Sequence, residues 1–172
     1  MPINRSIIRY NGLFDFDGMY AAIIDWAKNY GFMWHEVDYK HKVPSPEGAE
    51  QEWVWTMTKE VNDFIHYKYQ LKVHMWEMQE VEVEIDDKKK ILTKGRIYFW
   101  IDGDMTYDWQ NRFKGSRFKE WMGKFYEKVK DPELSDYWDT IKYRGLQLNA
   151  LIKKYFDMQA KHNSHVVYLK EN

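Results

Sequence analysis

Asp102, Asp104 and Asp108 are the residues whose type and spacing come nearest to chemistry. In Asp102-Gly103-Asp104-Met105-Thr106-Tyr107-Asp108 the carboxylates follow one another much as oxygen ligands do in a calcium loop. On a strand all three share a face, so together they suit a hard cation such as magnesium or calcium. The segment departs from the EF-hand pattern in three ways. Tyr107 stands where a glycine makes the sharp turn, Phe113 stands where a bidentate glutamate would close the site, and no helix precedes it. Turn-forming Asp and Gly at a solvated strand end account for the same residues without a metal.

The six histidines are a poorer metal set. His66 and His74 share a face of one expected strand, but eight residues at about 3.3 Å each hold them ~26 Å apart. His35 and His41 are separated in the same way. His162 and His165 are close but have no third ligand, and zinc needs at least three protein ligands. No Gly-x-Ser-x-Gly elbow, Walker-type phosphate loop, Rossmann glycine fingerprint or His-Glu-x-x-His helix occurs. The absence of cysteine removes disulfides, thiolate sites and cysteine nucleophiles. No catalytic residue and no cofactor is assigned, and an enzyme is the weaker expectation.

Two other residue sets point to binding. Trp76, Met78, Tyr98 and Trp100 occur among Lys68, Lys72, Lys94 and Arg96 on the even-numbered face of the long strands. Large apolar groups amid charges call for cover, supplied by the first helix or by a partner, and cover from within the chain is the simpler expectation. The second set is a basic amphipathic stretch. Lys114, Arg117, Lys119, Lys124, Lys128 and Lys130 face only Glu120 and Glu127, while Phe118, Trp121, Met122, Phe125, Tyr126 and Val129 recur at helical spacing. Such a helix can lie on a membrane surface. The plainer expectation sets its stripe on the sheet with its lysines in water. Phe118, Trp121, Met122 and Phe125 then line a pocket for a small apolar ligand. The acidic stretch Glu77 to Asp87 of another copy is a further possible counterpart for these lysines.

The elements that must position these residues follow from periodicity. Trp53, Trp55, Met57 and Val61 alternate, then Ile65, Tyr67, Tyr69, Leu71, Val73 and Met75, then Ile91, Ile97, Phe99 and Ile101. Alternation marks strands with one apolar and one polar face, as in an antiparallel sheet covered on one side. Residues 52–109 therefore form an antiparallel meander, with a hairpin across Asn62-Asp63 and a parity change near Trp76 to Gln79 that signals a bulge or break. Asp86 to Lys90 is a charged hairpin loop, and Gly95 marks a bulge or close approach. Before the meander, residues 6–42 hold a short strand (Ser6 to Arg9, ended by Asn11-Gly12), a helix capped by Asp15 or Asp17 and stopped at Gly31, and a strand over Phe32 to Lys42. Residues 43–51, with Pro44-Ser45-Pro46-Glu47-Gly48, are a loop. Residues 116–160 are helical. Ser116 caps the first helix there, and Asp131-Pro132 starts a second with the stripe Leu134, Trp138, Ile141, Gly145, Leu148, Ile152 and Tyr155. The tail, 161–172, is polar, with Val166 to Leu169 as a late strand.

The chain of 172 residues thus reads as one α+β domain: an antiparallel sheet of five or six strands with an N-terminal helix and C-terminal helices packed on it. The order of a strand, a helix, a meander and a long late helix resembles the helix-grip architecture. That resemblance implies an apolar ligand held between sheet and helix. The net charge of −1 argues against a nucleic-acid partner. No apolar run spans a bilayer and Met1 to Tyr10 has no secretory apolar core, so a cytoplasmic protein is expected. An aromatic content of 18% suits either a heavy core or an interface. The expected function is a non-enzymatic protein-interaction or assembly module, acting on a protein partner or as a homo-oligomer. Binding of a small apolar ligand and a divalent cation at Asp102, Asp104 and Asp108 are the alternatives.

Overall fold

The structure is a computed structural model and describes residues 2–45, 48–85 and 88–156. The elements run β1 (Pro2–Phe14), α1 (Phe16–Asn29), β2 (Met33–Ser45), β3 (Gly48–Glu60), β4 (Ile65–Ile85), β5 (Lys88–Tyr107) and α2 (Arg117–Tyr155). The strands form one sheet in the order β1-β5-β4-β3-β2, and every neighbouring pair is antiparallel. This is the expected α+β architecture, a meander with β1 returning beside β5.

Alternation decides which face is covered. Trp55 and Met57 on β3, Tyr67 to Met75 at odd positions on β4, and Ile97, Phe99 and Ile101 on β5 are all buried. Both helices lie on this face. Trp26 of α1 meets Tyr69 edge-on at 6.0 Å, and the Tyr69 hydroxyl donates to the Ile141 carbonyl of α2. Each fully buried aliphatic side chain at this seam, such as Ile23 or Leu148, is worth about 1.5–3 kcal/mol relative to exposure.

Local chemistry sets the boundaries. The Asp15 carboxylate caps α1 by accepting from the Gly18 amide at 2.9 Å, and Gly31 follows the helix at φ 72°, a conformation that favours glycine. At the β3–β4 turn, Asn62 Oδ1 accepts from the amides of Phe64 and Ile65, both at 2.9 Å. The parity change in β4 is a bulge: Glu77 has φ 58° and the register shifts between Trp76 and Gln79. Two glycines make room for it. A Cβ on Gly48 would lie 2.6 Å from the Glu77 carbonyl carbon, and one on Gly95 would lie 2.9 Å from the Trp76 oxygen.

Several boundaries differ from expectation. β1 extends from Pro2 to Phe14, and Asn11-Gly12 is not its end, because Gly12 stays in the ladder opposite Gly95. Pro44, Ser45 and Gly48 belong to strands rather than a loop, as do Lys88 to Lys90. α2 runs through Asp131-Pro132 as one span, with Ser116 as its N-cap. A proline inside a helix removes one amide donor and crowds the preceding turn, yet α2 continues past it. Pro46, Glu47, Asp86, Asp87 and the late strand proposed at Val166 to Leu169 lie outside the described residues. No helix of the described residues is long and apolar enough to cross a membrane.

Candidate interaction surface

Because α1 and α2 share one face, the opposite face of the sheet carries no helix among the described residues. The first helix does not supply the cover expected for the even-numbered aromatics. Register places those residues in rows. Ile7 pairs with Trp100 and Trp100 with Lys72; Arg9 pairs with Tyr98 and Tyr98 with His74; Asn11 pairs with Arg96 and Arg96 with Trp76. The sequence pattern alone brings Trp76, Tyr98 and Trp100 onto one open face.

Cations hold these rings. The Arg5 guanidinium lies 4.5 Å from the Trp100 ring centroid and Lys72 Nζ lies 4.8 Å from it. Arg9 sits over Tyr98 at 5.5 Å. Trp76 stacks on His74 with centroids 3.7 Å apart, and Arg96 approaches Trp76 at 5.9 Å while pairing with Glu77 at 2.6 Å. Such contacts contribute about 0.5–1 kcal/mol each at exposed sites, and Trp76, Tyr98 and Trp100 are half-buried beneath them. A shallow concavity of about 860 Å³ opens between Arg9, Tyr98, His74, Trp76 and Arg96. Met78 is not part of this surface. The bulge at Glu77 reverses the alternation, so Met78 packs toward the core on the helix side, beside Phe16 and Trp53.

Among the described residues, Asp102, Asp104 and Asp108 are not a group whose carboxylate oxygens converge. Asp102 stands opposite Gln70 and Asp104 opposite Lys68. Asp108 is taken up by the turn that follows β5, accepting from the amides of Arg112 at 2.7 Å and Phe113 at 3.1 Å. Among the described residues, the group that does converge is Glu50, Glu52 and His74, whose ligand atoms lie within 4.8 Å of one another. His74 Nε2 is 2.7 Å from Glu50 and 3.6 Å from Glu52. Lys42 also pairs with Glu50 at 3.0 Å. Hydrogen bonds from His74 and then Lys42 hold the Glu50 carboxyl below the usual carboxylate range. These groups already satisfy one another as a hydrogen-bonded cluster around Glu50. The cluster is hidden in the sequence because residues 43–51 read as a loop, whereas Glu50 belongs to β3. The signal was the Asn62-Asp63 turn, since a register centred on Asp63 pairs Glu52 with His74.

The expected pocket lining is elsewhere than over the sheet. Phe118, Trp121, Phe125 and Val129 are 66%, 60%, 58% and 60% exposed, and Met122 is exposed with them. The Tyr126 side of this stretch meets the body, stacking on Phe64 at 4.8 Å. The space between the sheet and α2 lies further along, where Tyr69, Ile101, Ile141, Gly145 and Asn149 border about 220 Å³. Gly145 keeps it narrow: a Cβ there would be 3.4 Å from the Tyr69 ring. No protein-family model, curated protein or solved structure matches the chain.

Proposed function

We propose that the protein is a non-enzymatic assembly module that pairs with a second copy of itself through the open face of its sheet. The observation that carries this reading is Trp100 on β5, held between Arg5 and Lys72 on a sheet face that no helix of the described residues covers. Trp, Tyr and Arg are the side chains in which binding energy concentrates at interfaces, and Trp76, Trp100, Tyr98, Arg5, Arg9 and Arg96 meet on this face.

Symmetry favours a second copy over an arbitrary partner, because a flat sheet face can meet its own copy in a closed two-fold pairing. The acids of β2 and β3 are paired within the chain, Lys40 with Asp38 and Glu52 and Lys42 with Glu50, whereas Arg5, Arg9 and Lys72 of β1 and β4 are spread over the aromatic rings. A two-fold axis in the interface, running along the strands, sets the β1 side of one copy over the β2 side of the other. Five strands spaced about 4.8 Å apart, each offering some eight residues at ~3.3 Å, give a flat footprint of roughly 600 Å². Side-chain relief brings this near the ~800 Å² per partner of a standard interface.

Sedimentation velocity across a concentration series tests the reading. The wild type is expected to dimerise. Trp100→Glu and, independently, Arg9→Glu are expected to weaken the dimer by about tenfold or more while leaving circular dichroism unchanged. A wild type that stays monomeric at the highest concentration would overturn it.

A further inference from the structure

We infer that the N-terminal half of α2 is a binding site for an anionic lipid surface. The site is separate from the open sheet face and does not depend on it. Phe118, Trp121 and Phe125 form a ladder of rings, with centroids 6.1 and 5.8 Å apart, along one side of the helix. Val129 extends it and Met122 widens it, and all five side chains are exposed. The other side is fixed to the body. Tyr126 stacks on Phe64, and Gly123 passes so close to Phe113 that a Cβ would lie 3.0 Å from it. The ladder is therefore presented outward by its own attachment.

The charges around the ladder select the occupant. At 3.6 residues per turn, Arg117, Lys124 and Lys128 fall along the free border of the apolar stripe, Lys119 falls on the Tyr126 side by which the helix meets the body, and Glu120 falls on the far side. A row of cations along the free border with an acid opposite suits a helix lying in the plane of a membrane, where ammonium groups reach headgroup phosphates as the rings enter the acyl boundary. Anionic lipid adds attraction for each border cation. Antiparallel pairing of this stripe with its copy would instead bring the two cationic borders together, a like-charge arrangement that disfavours association. The stretch from Arg117 to Val129 is about 20 Å long at 1.5 Å per residue, too short to span a bilayer core and sufficient to lie on it.

Flotation of the full chain with unilamellar vesicles tests the site. The protein is expected to float with phosphatidylserine-containing vesicles, to be released by added salt, and to stay behind with pure phosphatidylcholine. Trp121→Ser with Phe125→Ser should lower partitioning about tenfold or more, and Lys124→Glu with Lys128→Glu should do likewise. Both pairs should keep the wild-type circular dichroism, which separates loss of the site from loss of the fold. Trp100→Glu should partition as the wild type does, so failure of the sheet-face dimer and failure of this site are told apart. Absence of flotation with anionic vesicles overturns the inference. So does flotation that survives both double substitutions, or a lipid-free oligomer that dissociates only when Trp121 and Phe125 are replaced.

Discussion

The two halves of α2 carry the same kind of apolar stripe and meet opposite fates. From Ile141 onward the stripe is buried, with Ile141, Leu148 and Ile152 at 0% exposure. Between Phe118 and Val129 it faces solvent. The difference is where the sheet ends. The last row of the β4–β5 ladder pairs Ile65 with Tyr107. Tyr107 accepts a hydrogen bond from Trp138, so α2 enters the territory of the sheet near that residue. Residues before it project past the end of the strands, over the 61–65 turn. Periodicity reports that a helix has an apolar side; what lies beneath that side is a matter of strand length and register.

The largest effect that sharpens this contrast is a pair of truncations. Leu148→Ala is expected to cost about 2–5 kcal/mol of unfolding free energy, the range for emptying a closed core site. Phe125→Ala, although it removes a larger side chain, is expected to stay within about 0.5 kcal/mol of the wild type. Urea denaturation of the two variants under one set of conditions measures both. Equal losses would mean that the two stripes are equally buried, and the contrast would be gone.

Much of this architecture was legible from residue types. Alternation at Trp55 and Met57, Tyr67 to Met75, and Ile97 to Ile101 marks the covered face, and the shift at Trp76 marks the bulge. Asp15, Gly31, Asn62 and Ser116 act locally, so their roles as caps and turns need no tertiary information. The misplacements share a cause. Met78 is turned inward by a single residue at positive φ, and one extra residue in a strand exchanges every face beyond it. The cluster of Glu50, Glu52 and His74 depends on cross-strand register rather than on spacing within a strand. Parity alone sets Trp76, Tyr98 and Trp100 on one face. That α1 joins α2 on the odd face and leaves the even face open is not written in the stripe of α1, because Trp76, Tyr98 and Trp100 offer large apolar side chains on the even face too.

A smaller effect comes from how the buried half of α2 is held. Tyr67 donates to the Tyr137 carbonyl at 2.8 Å, and Tyr69 donates to that of Ile141. Two residues along a strand advance about 6.6 Å and four along a helix about 6.0 Å, so the two hydroxyls meet successive turns. Burial pushes both hydroxyls well above the usual tyrosine range, with neighbouring tyrosines adding to it. A folded pKa raised above the unfolded one contributes stability that is fully present below the unfolded value. That stability is lost as pH rises from about 10 toward the folded value. Tyr69→Phe should therefore cost about 0.5–1.5 kcal/mol at neutral pH. It should also flatten the fall in stability above pH ~10. Urea midpoints measured across the alkaline range test this. An unchanged alkaline slope would mean that Tyr69 ionises freely in the folded protein.

The smallest effect separates the helix starts. Asp15 caps α1, whose next turns are core: Met19 and Ile23 are both fully buried. Burial pushes the Asp15 carboxyl up, but hydrogen bonds from Lys90 and the Gly18 amide outweigh it, and the net position is below the usual range. Its contribution is present above pH ~3.9 and lost as pH falls through the folded value. Asp15→Ala should cost about 1 kcal/mol in global unfolding near neutral pH. Ser116 makes the equivalent bond, its Oγ accepting from the Lys119 amide at 3.2 Å, but on a helix start that packs on little. A cap stabilises global unfolding only to the extent that its turn unfolds with the core rather than before it. Ser116→Ala should thus leave the urea midpoint almost unmoved while amide exchange over the first turn of α2 accelerates. Hydrogen exchange with mass spectrometry reads that turn directly. A global loss as large as that of Asp15→Ala would mean that the projecting half of α2 folds as one unit with the sheet.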